Sequence, residues 1–336
     1  MSGSDRPVSI VLAGGGTAGH TSPLIATAHE LRRLAPEHRL TAVGTARGLE
    51  TTVVPAAGLD LELIPPVPMP RRPGRDLLLV GPRLAQSIRA TIRLLRHLEA
   101  DVVLGFGGYV STPAYLAARR LGIPIVVHEQ NVLPGLANKL AARITPHVYT
   151  SFPQTPLPHA SCIGLPLRRG ITDLDRAAAR DQAREGFGLA PGLPTVLVSG
   201  GSQGAMRINN AVLGARDRLL AAGIQLLHVV GPKNLSAETT GRVDAGTGAV
   251  YVPLGYVEQM ELAYAAADLM LGRCGAGTVM ETAAVGMPAV FVPYPHGNGE
   301  QARNAELVVK VGGGLLLTDA DCTPEWVANE IPALIH

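Results

Sequence analysis

The feature that most constrains this chain is a pattern that occurs twice: a short, uninterrupted apolar run ends in a glycine cluster, and a segment with helical spacing follows. The first copy is Ser9–Ala13 entering Gly14-Gly15-Gly16, with Leu24, Ala28, Leu31 and Leu34 then falling on one face of a helical stretch from Ser22 to Leu34. The second is Thr195–Ser199 entering Gly200-Gly201-Ser202-Gln203-Gly204. Strands without polar alternation are buried on both faces, the habit of a parallel sheet covered by helices.

The alternation continues between and after the two copies. Leu40–Gly44, Leu61–Ile64, Val102–Leu104, Ile123–Val127 and His147–Thr150 read as strands, with helical spacing in Thr112–Leu121 and Leu136–Arg143. After a polar stretch from Arg168 to Gly192, strands are expected at Gln225–Val230, Ala249–Pro253, Leu269–Leu271, Ala289–Val292 and Gly314–Leu317. Helices are expected at Ile208–Ala222, Gln259–Ala266, Val279–Val285 and Gln301–Val311. At 336 residues and 46% hydrophobic content there is chain enough for two cores. The expectation is an α/β protein of two Rossmann-like halves, residues 1–165 and 166–336. Ligands of open α/β sheets bind outside the carboxyl ends of the strands, so two facing domains imply a cleft between their glycine turns.

Composition narrows the function. Residues 1–150 carry 16 Lys/Arg against 10 Asp/Glu, and residues 151–336 carry 13 against 17. That excess is too small for nonspecific nucleic-acid binding, but it biases the first half toward anionic surfaces. Cys162, Cys274 and Cys322 are too scattered for a disulfide framework or a zinc site, which fits a reducing cytoplasm. No signal peptide is read at the N-terminus, and Val102–Ala118 is too short and too broken by glycine and proline to span a membrane, so any membrane contact is expected to be peripheral.

The glycine turns are the candidate anion sites. Gly14, Gly16 and Gly19 have dinucleotide spacing, but the second strand ends in Gly44-Thr45-Ala46-Arg47, without the acid that would hold a nicotinamide cofactor's ribose. The turn still offers backbone N–H groups and a helix N-terminus to a phosphate. Gly105-Phe106-Gly107-Gly108-Tyr109-Val110-Ser111 is a second such loop, open to reading as an anion cradle or as a tight turn. His20 is either a base for a hydroxyl nucleophile or a loop-bracing histidine. The four polar residues His128-Glu129-Gln130-Asn131 end a strand, where they either line a site or brace the loop. Glu281 is either the acid of a capping box with Thr278 or a carboxylate accepting from ribose hydroxyls. The loop Pro293–Gln301 suits sugar hydroxyls or plain turn chemistry.

From Arg71 to Arg96 the chain holds Arg71, Arg72, Arg75, Arg83, Arg89, Arg93 and Arg96 against Asp76 alone. Leu84, Ile88, Ile92 and Leu95 form one helical stripe, expected to pack on the sheet, and Leu77–Val80 with the arginines is open to reading as a membrane contact or as a solvated face.

Taken together, GGGTAGH (14–20), GFGGYVS (105–111), HEQN (128–131), GLPLR (164–168), SGGSQGA (199–205), GRCGAGTVMET (272–282) and NGEQARNA (298–305) resemble, in order and spacing, the MurG family of bacterial peptidoglycan N-acetylglucosaminyltransferases. The Gly297–Gln301 form of the last loop is similar to the actinobacterial branch. The resemblance implies a GT-B fold. It also implies inverting transfer from UDP-GlcNAc to the MurNAc 4-hydroxyl of undecaprenyl-pyrophosphoryl-MurNAc-pentapeptide, without a metal or other cofactor; no Asp-x-Asp motif is present. By matching motif, the donor site would comprise Thr17, Ala18, Gly19, Asn131, Arg168, Ser202, Val257, Ala276, Gly277, Thr278, Val279, Met280, Glu281 and Gln301. Glu281 would take the ribose, Arg168 and Ser202 the diphosphate, and Gln301 with Asn131 the GlcNAc. His20 would be the base, and Gly15, Gly16, Gly107, Gly108, Tyr109 and Ser111 would take the acceptor pyrophosphate. The resemblance places the acceptor and an anionic membrane surface with the first domain and the sugar nucleotide with the second. It implies a peripheral location on the cytoplasmic face of the membrane and, as further partners, cell-wall assembly proteins.

The departures are Ala18 where many members have Gly, Leu165-Pro166-Leu167 where many have Asn-Pro-Val, and an ending at Ile331–His336 where members usually continue through one or two more helices. The alternatives are a UDP-GlcNAc 2-epimerase, which would leave GFGGYVS unexplained, a transferase for another acceptor, and a catalytically silent scaffold.

Overall fold

A computed structural model describes residues 6–46, 48–67, 75–201, 204–296 and 298–335, with only the backbone described at 75–78 and 238. The chain divides into two compact units, one ending at Leu167 and the other beginning at Arg168.

The first unit carries β1 (Ser9–Gly14), α1 (Ala18–Leu34), β2 (Arg39–Gly44), α2 (Glu50–Ala56), β3 (Asp60–Leu63), α3 (Arg75–His97), β4 (Val102–Gly107), α4 (Ser111–Leu121), β5 (Ile125–Glu129), α5 (Leu136–Ala141), β6 (Val148–Thr150) and β7 (Ala160–Cys162). Its strands are all parallel, in the order β3-β2-β1-β4-β5-β6-β7. All six residues of β1 are buried, as a central strand covered on both faces requires. One layer packs Leu24 and Ala28 of α1 on Ile10 and Leu12, and the other packs Ala114 and Tyr115 of α4 on Val11 and Val103.

The second unit opens with α6 (Arg169–Thr172) and α7 (Arg176–Phe187), then β8 (Thr195–Ser199), α8 (Met206–Ala221), β9 (Gln225–Val229), a 3-10 turn at Ala237–Thr239, β10 (Arg242–Val243), β11 (Val250–Leu254), α9 (Met260–Ala266), β12 (Leu269–Gly272), α10 (Ala276–Ala284), β13 (Ala289–Phe291), α11 (Glu300–Lys310), β14 (Gly314–Leu316) and α12 (Pro324–Ile335). Its strand order is β10-β11-β9-β8-β12-β13-β14, parallel except for the short edge strand β10.

In each unit the strand order reverses at one place, between β1 and β4 in the first sheet and between β8 and β12 in the second. The glycine turns at 14–16 and 105–108 follow the two strands that flank the first reversal, and those at 200–204 and 272–277 follow the two that flank the second. Such switch points are where open α/β sheets bind ligands.

Beyond elements the sequence reading did not name, α2, α6, β7, β10 and α12, the structure differs from it in four places. The polar stretch from Arg168 contains α7, capped by Asp175, which accepts from the Ala178 N–H, and closed by left-handed Gly188. This helix docks through a short apolar line, Ala179, Ala183 and Phe187, flanked by guanidinium groups: Arg176 donates to the carbonyls of Ala267 (2.8 Å) and Gly286 (3.0 Å), and Arg184 to that of Ala266 (3.1 Å). In α3 the most buried line is Ser87, Thr91 and Leu95, with Ile88 and Ile92 only half-buried beside it. The Ser87 hydroxyl donates to Pro65 O and that of Thr91 to Ser87 O, each at 2.8 Å, so hydroxyls are buried at no loss of hydrogen bonding. Two helices begin earlier than expected, α1 at Ala18 and α10 at Ala276, and Gly275 is the N-cap of α10. Thr278 therefore lies inside the helix, and the capping-box reading of Thr278 and Glu281 is excluded. Arg47, Arg71 and Arg72, and the side chains of Arg75, Asp76, Leu77 and Leu78, lie outside the described residues.

Candidate active site

In the first unit the two glycine loops meet. Gly107 and Gly108 have φ of +91° and +81°, and a Cβ on Gly108 would stand 2.5 Å from the Gly15 carbonyl oxygen. Only glycine allows that approach. The His20 ring lies against the same pair, its Cε1 and Cδ2 each 3.3 Å from where Cβ atoms of Gly107 and Gly108 would be. Thr17 is the extended N-cap of α1 with no side-chain cap, so Ala18, Gly19 and His20 form the first turn.

Several glycines are accounted for by packing. A Cβ on Gly105 would overlap the Tyr115 hydroxyl, which donates to Asn138 Oδ1 at 2.8 Å. Gly15 and Gly48 make room for the carboxylate of buried Glu50, and Gly44 for its Cγ. That carboxylate accepts from the backbone N–H groups of Gly16 and Thr45, each at 2.9 Å. The Gly16 amide is thus already committed, and the amides left to an anion in this turn are those of the first helical turn. Ser111 is also committed: its hydroxyl is fully buried, 2.7 Å from Gly107 O and 2.9 Å from Ala13 O, and its N–H donates to Gly108 O. It ties the two strand ends together. Tyr109, by contrast, is well exposed.

The four polar residues at the end of β5 divide their duties. Buried Glu129 accepts from the Asn131 and Gly135 N–H groups (2.9 and 3.0 Å) and from Asn138 Nδ2 (2.9 Å), so it braces the loop. Asn131 is half-buried, and its carbonyl accepts from Thr155 Oγ1. His128 Nε2 is 2.9 Å from the Gly164 carbonyl, and Gln130 Oε1 is 3.0 Å from His20 Nδ1. Burial holds the His128 imidazole below its usual range, and the Gly164 hydrogen bond opposes that only in part.

In the second unit, Gly200, Gly201 and Gly204 shape the turn after β8, the last two with φ of +82° and +74°. Ser202 lies outside the described residues. After β12, extended Gly275 leads into Ala276, Gly277 and Thr278, the first turn of α10, again with no side-chain cap. Val279 is buried in the helix, Met280 is half-buried, and Glu281 follows in the second turn. Tyr264 donates its hydroxyl to Glu281 Oε2 at 2.9 Å. Burial pushes the Glu281 carboxyl above its ordinary range; the Tyr264 bond and the Arg168 guanidinium pull it back, and Glu261 adds to the rise. Arg168 donates to the Glu258 carbonyl at 3.2 Å and pairs with Glu261 at 3.6 Å. Val257 is buried in the adjoining loop. Gln301 Oε1 accepts from the Tyr294 N–H at 3.0 Å, which folds the 294–300 loop back onto the start of α11.

Gln130, Glu50 and Tyr264 were not among the expected site residues. Gln130 stood inside a recognised motif, whereas Glu50 reaches Gly16, and Tyr264 reaches Glu281, only through the tertiary fold. Among the described residues no group of three or more His, Cys, Asp or Glu is placed to hold a metal ion.

Doubly wound sheets with glycine turns at their switch points are how GT-B glycosyltransferases are built, and the fold and site together define this chain as a member of that class. Residues 10–150 match the glycosyltransferase family 28 N-terminal domain, and residues 195–336 match its C-terminal domain. The chain is 57% identical over 326 residues to the UDP-N-acetylglucosamine--N-acetylmuramyl-(pentapeptide) pyrophosphoryl-undecaprenol N-acetylglucosamine transferase of Nocardioides sp., a match covering 97% of this chain and 89% of that protein. It is 56% identical over 335 residues to the protein of the same name in Cutibacterium acnes, covering 98% and 89%. Among solved structures, Acinetobacter baumannii MurG is similar with a TM-score of 0.77 at 27% identity, over 98% of this chain and 91% of that one. The chain belongs to the MurG family.

Proposed function

We propose that the chain transfers N-acetylglucosamine from UDP-GlcNAc to the 4-hydroxyl of MurNAc in undecaprenyl-pyrophosphoryl-MurNAc-pentapeptide, forming a β-1,4 link with inversion. The observation that carries the chemistry is His20, held at the first switch point with Nδ1 facing an amide oxygen and Nε2 turned away from that partner. The acceptor oxygen bonds to the anomeric carbon as that carbon's bond to UDP breaks. The hydroxyl proton passes to His20 Nε2, and the bonding pair leaves on the diphosphate. Charge growing on the diphosphate suits the N-terminus of α10 and the Arg168 guanidinium. Ionised Glu281, with one oxygen held by Tyr264, suits the ribose hydroxyls.

In this reading residues 1–165 bind the acceptor and residues 166–336 the sugar nucleotide. Exposed Leu79, together with exposed Arg89, Arg93 and Arg96 on α3, supports peripheral contact with the anionic cytoplasmic face of the membrane. No helix of the described residues is long and apolar enough to cross it.

The test is transfer of labelled GlcNAc to a lipid-pyrophosphoryl-MurNAc-pentapeptide analogue with EDTA present, counting acceptor-free UDP release in parallel. Acceptor-dependent, EDTA-resistant product is expected. A 2-epimerised sugar formed without acceptor, or glycosylation of soluble acceptors alone, would overturn the reading.

A further inference from the structure

The hydrogen bonds around Gln130 admit one assignment. A carbonyl oxygen only accepts, so the Gln130 atom 2.8 Å from the His128 carbonyl is Nε2. Nε2 also donates toward His128 Nδ1 at 3.3 Å, which agrees with His128 carrying its proton on Nε2 and donating it to the Gly164 carbonyl at 2.9 Å. The Gln130 atom facing His20 is then Oε1, and His20 Nδ1 must carry a proton to meet it at 3.0 Å. Every bond donates one way, from His20 through Gln130 and His128 to the Gly164 carbonyl, and the one lone pair left on the His20 ring is that of Nε2.

We propose that Gln130 is a positioning residue for the transfer: it fixes His20 as the Nδ1–H tautomer and orients the ring, so that Nε2 is the atom that takes the acceptor proton. An imidazole free in water favours the opposite tautomer, with the proton on Nε2, and that nitrogen then has no lone pair with which to take the acceptor proton. Gln130 is fully buried, so water does not compete for its amide, and its setting is rigid: Asn138 Nδ2 donates to the same His128 carbonyl at 3.2 Å and to Glu129 at 2.9 Å. The relay ends on Gly164, at φ +84°, in the segment that leads to Arg168. The charged groups around it are engaged elsewhere, Glu50 on the Gly16 and Thr45 amides and Glu129 on the Asn131 and Gly135 amides. His128, lowered by burial, stays neutral at pH 7 and so keeps Nδ1 as an acceptor.

The proposal rests on His20 being the base, and the test separates the two ideas. In nitrogen-15 spectra of histidine-labelled enzyme, His20 is expected as the Nδ1–H form in the wild type and as the Nε2–H form in Gln130→Leu. A wild-type His20 protonated on Nε2 would overturn the proposal whatever the kinetics. Gln130→Leu is expected to lower kcat about 10- to 100-fold, part of the roughly 10²–10⁴ that general-base catalysis supplies, with KM for UDP-GlcNAc changed less than about threefold. Gln130→Glu keeps an acceptor for Nδ1–H. It is expected to recover part of kcat and to move the acid limb of the pH profile upward, because the new carboxylate stabilises the imidazolium. The double variant His20→Ala/Gln130→Leu should be no slower than His20→Ala alone; losses that multiply would show Gln130 acting independently of His20 and overturn the proposal. If His20→Ala alone leaves kcat intact, the base reading fails, while the spectra still decide the tautomer.

Discussion

Glu50 and Gly16, 34 residues apart, are joined by a 2.9 Å hydrogen bond from the glycine N–H to a carboxylate that is 1% exposed. The carboxylate does from within the protein what a phosphate does in dinucleotide-binding turns: it satisfies a glycine-loop amide with negative charge. Glu50 also accepts from the Thr45 N–H and hydroxyl. Glu50→Ala would take the acceptor from the exposed Gly16 amide and the half-buried Thr45 donors, which water replaces only in part, and is expected to cost about 1–3 kcal/mol, the size of hydrogen bonds to a charged group, read as a lower denaturation midpoint. A midpoint within about 0.5 kcal/mol of wild type would show the loop holding itself without Glu50.

The second site makes its prediction through Tyr264. Tyr264→Phe removes the hydrogen bond that orients Glu281 Oε2, so UDP-GlcNAc affinity should fall about 10- to 150-fold, the effect of losing a hydrogen bond to a charged group. Calorimetric titration with the donor measures this; unchanged affinity would separate Glu281 from the ribose.

The pH dependence of donor binding follows from the same carboxylate. Glu281 titrates above its ordinary 4.5 because burial disfavours its charge, and the ionised form is the one that accepts from two hydroxyls. Affinity should therefore be full at high pH and decline as pH falls through a value above 4.5. Because the Tyr264 hydroxyl pulls this pKa down, the decline should begin at still higher pH in Tyr264→Phe. A decline at the same pH in both proteins would contradict the assignment.

Much of the fold could be read from the residues, for reasons the particular elements show. β1 and β8 were plain because central parallel strands need unbroken apolar runs, and both are buried from end to end. Helix α7 was hidden because its apolar line is short, Ala179, Ala183 and Phe187, and the rest of its docking face is built from Arg176 and Arg184, whose guanidinium groups bond to carbonyls. The starts of α1 and α10 were missed because Ala18-Gly19 and Ala276-Gly277 carry no periodicity to detect. At the site, the motifs located the loops, but they could not separate residues that face a ligand from those that hold the loop. Ser111 and Glu129 prove to be braces, and Glu50, well outside the first glycine motif, shapes it.

Acid should destabilise the second unit through His228. Burial holds this imidazole down to about 3, and it is neutral between Tyr251 (3.2 Å) and Asn209 (3.1 Å). The unfolded chain takes up the proton near 6.5, so the stabilisation is complete above about pH 6.5 and is lost as pH falls from there toward 3. Denaturant midpoints measured from pH 7 to 4 should fall more steeply in the wild type than in His228→Gln; parallel curves would contradict this.

The most direct test of the central claim sets turnover against binding in His20→Ala. Single-turnover transfer to the lipid-linked acceptor is expected to slow by about 10² or more, with UDP-GlcNAc affinity within about threefold of wild type, because the imidazole acts as the hydroxyl loses its proton. Equal losses in rate and affinity would contradict the claim and make His20 a binding residue.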